Sequence, residues 1–479
     1  MIDFKMINFG CADAGTEATR FPHNFRKVFF DPHNYLDELI FGDRFVLSGR
    51  KGDGKTAYGE QIKLKSDDYN IDADQRTLNS FNNQIFAQLK TYGQFEGNQY
   101  IALWQCILLI ECVKMLNKLE PNIQKIEFIE IYNTLVKYGF LSNDTEISIT
   151  VKRLVESNTT LSLDKHVVHG RKHEYNETLR GAEQIYDAIQ KAIKDIYLKR
   201  ERIILIIDGL DDLLNNSEFD AKIITGLIRA VDHINRAFYK TTLKLKIIVL
   251  IREDILSLCR DANISKIIRD SGIKLSWKIS PHDDLIETDL IKLVGKRMSE
   301  ITNTSNSFAE VWRELFPVEI DNKPSLNYVL NNIIYRPRDI LQFFIEVQKL
   351  FKNRVIAEED IESALRSFSG EYFIDAMKDE LTGFFSDEAV TRLPSVLANV
   401  GGQEFDLSKF STECDRYRCF DDIDRRDILR RLYNDGYIGQ QQPRQNNPYT
   451  AYSYIHTNIN FDETHSWILH RGLMRGLAL

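Results

Sequence analysis

The chain has 479 residues, of which 43% are hydrophobic and 28% charged, and its formal net charge is −8 with a pI near 5.8. This length predicts several domains, each of which buries a core of its own. The acidic balance excludes a basic field over the whole surface, although it is compatible with a local basic patch for nucleic acid.

Six cysteines are scattered along the chain, with no C-x-x-C pair and no Cys/His set of metal-ligand spacing. We therefore expect reduced, mostly buried thiols and no zinc site. The N-terminus lacks the basic start and apolar run of a signal peptide. The longest apolar stretch, Ile101 to Val113, is shorter than the about 20 residues that cross a bilayer. These features predict a cytoplasmic protein.

Strand and helix patterns alternate over residues 1–280, which favours an α/β domain with a parallel sheet. Residues 78–200 interrupt this alternation with apolar spacings of three and four, and they predict a large helical insertion. Five short apolar runs predict the strands. These runs are Arg44 to Ser48, Tyr69 to Ala73, Ile203 to Ile207, Lys246 to Ile251 and Lys274 to Ile279.

Two further regions follow the predicted sheet. Residues 281–385 have helical periodicity and no strand pattern, so they predict a helical lid domain. In residues 386–479, two helical segments precede two strand-like segments that flank the turn-rich loop Gln442 to Thr450. Helix, helix and hairpin in this order predict a winged-helix domain.

The sharpest motif follows the first predicted strand, where Gly49 to Thr56 fit G-x-x-x-x-G-K-[ST]. Glycines at this spacing let successive backbone N–H groups point at one phosphate, and the next helix adds its positive end. Lys55 is expected to reach the β- and γ-phosphates of ATP, and Thr56 to offer its hydroxyl to Mg²⁺. The motif predicts a P-loop domain. Nucleotide contacts are expected from Gly49, Arg50, Lys51, Gly52, Asp53, Gly54, Lys55, Thr56 and Ala57.

Acidic residues follow the predicted strand Ile203 to Ile207. Asp208, at its carboxyl end, is placed to hold Mg²⁺ directly or through water, opposite Thr56. Asp211 or Asp212, on the same turn, is expected to polarise the water that attacks ATP. The alternative role for each carboxylate is an N-cap of the next helix, and the sequence does not decide between Asp211 and Asp212.

The string IILIIDGLDD, ending at Asp212, resembles the extended Walker B signature of STAND-type signalling ATPases, D-G-x-D-E. Asp212 stands where that signature has glutamate, and its shorter side chain lies further from the attacking water. The resemblance therefore implies slow hydrolysis, which suits a switch.

The loop and the Asp208 strand together resemble STAND/KAP-like members of the ASCE division of P-loop ATPases. Over most of its length the chain is also similar to a family of orphan prokaryotic P-loop ATPases. This similarity rests on an F-G…E lead-in at Phe9, Gly10 and Glu17, a G-R-K-G-x-G-K loop, a helical insertion and a terminal winged helix. Several proteins of this type occur in antiviral defence, so the resemblance implies that role.

The resemblance further implies two arginines that sense the γ-phosphate. Arg252 follows the fourth predicted strand, where ASCE proteins have a polar sensor; a salt bridge with Glu253 or Asp254 is the alternative. Arg338 resembles the sensor-two position of Cdc6-like and STAND-like lids, and Arg336 is the second choice. The alternative for this pair is a capped helix with surface arginines.

The predicted winged helix has nearly equal numbers of basic and acidic residues. DNA contact would require its arginines to gather on one face, so a protein-contact or autoinhibitory role is favoured over DNA binding. The arginines concerned are Arg425, Arg426, Arg430 and Arg431 on one helix and Arg444 at the loop tip.

Together these predictions favour an ATP-binding switch that hydrolyses ATP slowly. Because no nuclease, TIR or protease motif is visible, we expect a homo-oligomer or a complex with a separate effector protein. The alternative is a DNA-associated, Cdc6-like ATPase that binds duplex DNA through the winged helix. A plain small-molecule kinase fits the large helical additions poorly.

Overall fold

The structure is a computed structural model that describes residues 4–77, 97–120, 123–137, 139–141, 171–210, 221–259, 261–280, 283–302, 307–351, 355–443 and 449–479. The chain divides into two compact units. The sheet unit comprises His33–Gly49 and Lys55–Leu275. The helical unit comprises Met1–Pro32, Arg50–Gly54 and Ser276–Leu479, so residues from both ends of the chain fold together.

A five-stranded parallel sheet forms the centre of the sheet unit, which confirms the predicted α/β class. Two of its strands are apolar runs buried along nearly their whole length, as expected where helices cover both faces. The order across the sheet is β2-β3-β4-β1-β5. The strands are β1 (Val46–Gly49), β2 (Ile71–Thr77), β3 (Arg202–Asp208), β4 (Leu245–Arg252) and β5 (Gly272–Lys274).

The predicted boundaries of two strands were wrong. The last strand ends at Lys274 rather than continuing to Ile279, because its partner β1 is only four residues long and turns into a loop after Gly49. The second strand continues to Thr77, since it pairs with β3 over all seven residues. Its side chains are mostly polar and form no apolar run, so the sequence pattern did not predict this extension.

Helices surround the sheet, and the described parts of the predicted insertion are helical. The helices of the sheet unit are Tyr35–Ile40, Lys55–Leu64, Gly97–Leu119, Ile126–Lys137, Arg171–Ile193, Ala221–Phe238, Glu253–Leu258 and Ala262–Ser271.

The helix Gly97–Leu119 is longer than the apolar stretch that the sequence indicated. Its segment Tyr100–Leu119 is long and apolar enough to cross a membrane, but 83% of the most apolar window is buried inside the protein, as in the core helix of a globular domain. It packs on Ala221–Phe238, where a Cβ at Gly226 would lie 2.5 Å from the Cβ of Tyr100. The absence of a side chain at Gly226 therefore allows the two helices to approach closely.

A buried ion network joins this helix to β2. Glu111, which is fully buried, accepts a hydrogen bond from Arg76 Nε at 3.0 Å and one from Lys114 Nζ at 2.7 Å. Arg76 also donates to Asp74 at 2.7 Å. Burial alone would lower the pKa of Arg76, but Asp74 and Glu111 outweigh it and raise that pKa. The apolar run of the helix can include the charged Glu111 because these cations pair with it.

The helical unit contains most of the remaining elements. Its α-helices are Ala14–Arg20, Pro22–Val28, Asp289–Thr302, Phe308–Leu315, Ser325–Leu330, Pro337–Leu350, Glu358–Ser367, Ile374–Leu381, Asp387–Val400, Leu407–Cys414, Arg425–Asp435 and Arg471–Gly476. It also has 3₁₀ turns at Phe4–Met6, Leu285–Glu287 and Arg418–Phe420 and a π-helical turn at Phe368–Phe373. Its strands are β6 (Glu319–Ile320), β7 (Lys323–Pro324), β8 (Ile438–Gln442), β9 (Tyr449–Ala451) and β10 (Trp467–Leu469).

A two-residue hairpin in this unit contradicts the prediction that residues 281–385 contain no strand. Asp321 and Asn322 both have positive φ, 50° and 57°, and they connect β6 to β7. Positive φ at both central positions is the type I′ geometry that aspartate and asparagine tolerate. The Asp-Asn pair was the local signal for this turn.

One continuous core extends through the helical unit, from Phe4 to Leu473. It therefore includes both the segment predicted as a lid and the segment predicted as a winged helix. The latter contains a helix, Leu407–Cys414, and a third strand, β10, that the sequence pattern did not reveal.

The lead-in residues occupy specific positions in this core. Phe9 stacks on Phe344, with ring centroids 5.0 Å apart. Gly10 has a φ of +99°, and a Cβ there would lie 2.5 Å from Glu17 Oε2. The buried Glu17 carboxylate in turn accepts hydrogen bonds from Arg297 at 2.7 and 3.2 Å. The F-G…E pattern therefore holds the N-terminal segment on the helix Asp289–Thr302.

His470, near the end of the chain, is buried as a neutral ring. Its Nδ1 accepts a hydrogen bond from Gly472 N at 3.1 Å, and its Nε2 lies 3.0 Å from the Tyr454 hydroxyl. Burial, assisted by the charges of Arg336 and Arg471, lowers its pKa from 6.5 to about 3. Its contribution to stability is thus complete above pH 6.5 and is lost as the pH falls toward 3, because only the unfolded chain then takes up the proton.

This linkage predicts a pH-dependent difference from His470→Asn, whose side-chain oxygen can still accept from Gly472 N. Between pH 7 and pH 5 the wild type should lose about 2 kcal/mol more unfolding free energy than the variant. Urea unfolding at both pH values, followed by circular dichroism, measures the difference. Equal pH dependence in the two proteins would exclude a buried neutral His470.

Candidate functional site

The segment Gly49 to Thr56 connects β1 to the helix Lys55–Leu64, which also contains Ala57. Gly52 and Gly54 have φ values of +90° and +98°, a region that glycine enters without steric cost. No described acceptor takes the N–H of either glycine, and open space lies where a Cβ of Gly54 would be. Free N–H groups before a helix N-terminus suit the binding of an anion.

The loop follows the strand at which the connections of the sheet reverse direction. From β1 the chain passes to β2, the outermost strand on one side of the sheet. From β4, the neighbour of β1, it passes to β5, the outermost strand on the other side. Ligands of open α/β sheets bind outside the carboxyl ends of the strands at such a reversal.

Thr56 and Asp208 meet at this carboxyl edge, within the sheet unit. The Thr56 hydroxyl donates to Asp208 Oδ2 at 2.9 Å, and Gln75 Nε2 donates to the same oxygen at 3.1 Å. The other carboxylate oxygen accepts from Gly209 N at 2.8 Å. Three donors thus fix the carboxylate beside the hydroxyl. The two groups that the sequence assigned to one metal ion are in direct contact.

Among the described residues, no group of three or more His, Cys, Asp or Glu side chains could hold a metal ion. A Mg²⁺ ion does not require such a cluster, because it takes one or two protein oxygens and completes its octahedron with phosphate oxygens and water. The Thr56 hydroxyl and the Asp208 carboxylate are the oxygens that fit this pattern.

Lys55, the first residue of the helix, donates from Nζ to Gly49 O at 3.1 Å. A neutral carbonyl is a weak partner for an ammonium group compared with a phosphate. The side chain is therefore held at the loop, where a better acceptor could replace the carbonyl.

Arg252 ends β4, in register with Gly49 of β1. Its guanidinium is buried and makes two hydrogen bonds to the Asp254 carboxylate, from Nε at 3.1 Å and from Nη2 at 2.6 Å. Of the two interpretations offered by the sequence, the salt bridge is the one observed. The register nevertheless places Arg252 at the start of the loop.

The two candidate water-activating acids, Asp211 and Asp212, lie outside the described residues, as does Arg444 at the predicted loop tip. Their assignments stay predictions.

Within the helical unit, the tip of the loop, Arg50–Gly54, is bonded to the start of the helix Pro337–Leu350. Arg338 N donates to Gly52 O and Arg336 Nη1 to Lys51 O, each at 3.3 Å. Arg50 Nη2 also donates to Tyr335 O at 3.3 Å. The conformation of the tip is therefore coupled to this helix by hydrogen bonds.

The tip is also closed on itself and packed. Asp53, which is buried, accepts from Arg50 N at 2.7 Å. Trp277 Nε1 donates to Asp53 O at 3.0 Å, and Lys51 Nζ donates to Asp379 O at 3.3 Å. The variable positions of the motif thus have structural partners of their own.

Arg336 lies at the centre of a buried ionic cluster. It is 1% exposed and forms ion pairs with Asp339 and Glu380, while Tyr437 Oη also donates to Glu380 at 3.2 Å. Burial alone would lower the pKa of Arg336, but the two carboxylates hold it well above its ordinary value. This guanidinium is thus permanently charged and fully engaged with protein groups.

Arg338 differs from Arg336 in its surroundings. It is only half-buried, its Cβ lies 3.2 Å from where a Cβ of Gly52 would be, and no described carboxylate pairs with it. Of the two arginines, Arg338 therefore has the guanidinium that can engage a ligand.

The arginines of the helix Arg425–Asp435 are also paired within the protein. Arg426 bonds to Glu463, Arg430 to Asp427 and Arg431 to Asp435, at 2.6 to 2.8 Å. Arg425 bonds to Asp415 at 2.9 Å. These contacts neutralise the basic cluster that the sequence suggested for DNA.

Sequence reasoning missed three residues that complete these arrangements: Gln75, Glu380 and Tyr437. Each lies far along the chain from its partner, and none belongs to a motif. The only local signal was a glutamine in a strand that pairs with the strand of Asp208.

Comparison with known families gives a match over part of the chain. Residues 288–376 match the FunZ-associated C-terminal helical domain. This matched segment includes Arg297, Arg336 and Arg338, and thus the start of the helix bonded to the loop tip. None of the curated proteins matches the chain.

The contrast between Arg336 and Arg338 predicts their effects on stability. Arg336→Met leaves the buried carboxylates of Asp339 and Glu380 without their cation, so it should lower the unfolding free energy by about 3–5 kcal/mol. Arg338→Met, the matched control, should change it by less than about 0.5 kcal/mol. Urea unfolding measures both. Equal losses would contradict the assignment of Arg336 to structure and Arg338 to ligand contact.

Proposed function

We propose that this protein is a P-loop ATPase of the STAND-like type, which binds ATP with Mg²⁺ and acts as a molecular switch. The observation that supports this most strongly is the 2.9 Å hydrogen bond between the Thr56 hydroxyl and Asp208, beside a loop whose glycines leave N–H groups free. A Mg²⁺ ion would take both oxygens as ligands, with the phosphates of ATP in the loop.

Each residue then has a defined part in the reaction. Lys55 exchanges the carbonyl of Gly49 for the β- and γ-phosphates. Arg252 would have to break its hydrogen bonds to Asp254 before it could contact the γ-phosphate. This movement would therefore depend on the bound nucleotide. Asp211 or Asp212 polarises the attacking water. An aspartate at position 212, in place of a longer glutamate, supports slow hydrolysis.

Coupling of the nucleotide to the rest of the protein is supported by the bonds of the loop tip. A change at the phosphates alters the positions of Lys51 and Gly52, whose carbonyls accept hydrogen bonds from Arg336 and Arg338. Arg336 in turn holds Glu380 in the buried cluster. A discrete rearrangement of this cluster is the kind of two-state element that a switch requires.

The wider role follows from the sequence resemblance. We propose a cytoplasmic protein that assembles as a homo-oligomer or with a separate effector protein, in antiviral defence. The terminal segment, which we propose to be a winged helix, then serves protein contact. A DNA-associated ATPase is the less favoured candidate, because the arginines Arg425, Arg426, Arg430 and Arg431 are all paired with carboxylates.

Replacing the loop lysine tests ATP binding directly. Lys55→Ala should weaken the affinity for ATP with Mg²⁺ by about a hundredfold or more, since it removes a charge-assisted contact to phosphate. Lys63→Ala, on the same helix, is the matched control, because Lys63 pairs with Glu60 at 2.8 Å and not with the loop. Titration calorimetry measures both affinities. Undiminished binding by Lys55→Ala would refute the proposal.

Hydrogen exchange in the same two variants tests the switch. ATP should slow amide exchange in residues 335–338 as well as in the loop, in the Lys63→Ala control but not in Lys55→Ala. Protection confined to the loop would show that ATP binds without operating a switch through Arg336.

A further inference from the structure

A cavity of about 630 Å³ lies in the sheet unit at the amino ends of the strands, opposite the carboxyl ends that form the candidate site. Its wall includes Arg202 and Leu245, the first residues of β3 and β4, and Phe45, which precedes β1. These residues lie at the amino ends of the strands, whereas Thr56 and Asp208 lie at the carboxyl ends. The volume is within the about 300–1,000 Å³ of small-molecule sites.

Besides the exposed Lys244, two more cations in the wall of this cavity, Lys246 and Arg202, lack carboxylate partners among the described residues. Lys246 is 7% exposed and donates only to backbone carbonyls, Gly42 O at 2.7 Å and Glu38 O at 3.4 Å. Arg202 donates from Nη1 to Ile40 O. Within the part of the chain that the structure describes, no carboxylate lies within ion-pair distance of either group. Lys and Arg are rarely buried without such a partner.

The donor capacity of these cations is not exhausted. The Nε of Arg202 is buried and has no acceptor among the described residues. Burial, together with the nearby Arg202 charge, lowers the pKa of Lys246 to about 7, against the opposing effects of Asp43 and Glu38. Elsewhere in the protein buried cations are held by carboxylates, as Arg76 is by Glu111. An anion from outside the chain would supply what is missing here.

Aromatic surface completes the cavity. Phe41 and Tyr239 line it and are 40% and 63% exposed, and the guanidinium of Arg202 lies 5.5 Å from the centre of the Phe41 ring. Of the other charged residues in the wall, Arg236 and Asp232 neutralise each other at 2.9 Å, and Lys244 and Asp43 also line it. The site therefore offers two cations for an anionic group and exposed rings for a flat apolar group.

We propose that this cavity binds a small anionic molecule, whose carboxylate or phosphate is held by Arg202 and Lys246 and whose planar apolar part packs on Phe41 and Tyr239. This cavity shares no residue with the proposed ATP site, and it lies at the opposite ends of the strands. A ligand here would contact the first residues of the same strands, β3 and β4, that end in Asp208 and Arg252.

Benzoate and phenyl phosphate are the probes, with benzamide as the neutral ring and inorganic phosphate as the anion alone. Titrations followed by NMR use full-length Lys55→Ala, so that the loop does not bind phosphate. One or both of the aromatic anions should bind with one site per chain, at least about tenfold tighter than benzamide or inorganic phosphate. The preference between benzoate and phenyl phosphate identifies the anionic group.

Substitutions at the cavity make the test specific. Lys246→Met keeps the length of the side chain and removes the charge, so binding should weaken about tenfold, whereas exposed Lys266→Met should change nothing. Asp43→Asn removes an acidic residue from the wall. At pH 5.5, where Lys246 with its pKa of about 7 stays protonated, this variant should strengthen binding about two- to threefold. This result is independent of whether the Lys246 variant folds. If neither benzoate nor phenyl phosphate binds more tightly than benzamide and inorganic phosphate, or if both cavity variants keep the wild-type affinity, the proposal is overturned.

Discussion

The parallel pairing of five strands determines which side chains of the sheet unit lie together. Because every strand runs in the same direction, the residues that end them share one edge: Gly49 pairs with Arg252, and Asp208 pairs with Thr77. The parallel pairing therefore brings the last residues of β1, β3 and β4, which are Gly49, Asp208 and Arg252, to the same end of the sheet. The opposite edge gathers Arg202 and Lys246 in the same way.

Buried charged side chains are paired with opposite charges in some parts of the molecule and not in others. Where it holds segments together it is paired, as in Arg76 with Glu111 and Arg297 with Glu17. Arg336 with Asp339 and Glu380 follows the same rule under the loop tip. At the amino ends of the strands, the buried Lys246 and the half-buried Arg202 depart from it. Because burying an unpaired charge costs free energy, cations without carboxylate partners indicate a ligand site more directly than paired ones do.

Local patterns were sufficient for part of this account. The glycine spacing at Gly49 to Thr56 and the apolar strand before Asp208 identified two segments whose side chains do touch. Interactions over long chain separations could not be predicted in this way. Gln75 reaches Asp208 and Glu380 reaches Arg336 only because strands and helices pack, and the extent of β5 depends on the length of its neighbour. The cavity joins residues from Phe41 to Ser271 and has no sequence motif.

The central claim is that Thr56 and Asp208 hold a magnesium ion with the phosphates of ATP. The most direct measurement is the ATP affinity of Thr56→Val by calorimetry, with Mg²⁺ and with EDTA. The variant keeps the shape of the side chain and removes the hydroxyl. We predict that Mg²⁺ tightens ATP binding to the wild type by about tenfold or more and leaves binding to the variant nearly unchanged. An equal effect of Mg²⁺ on both proteins would contradict the claim.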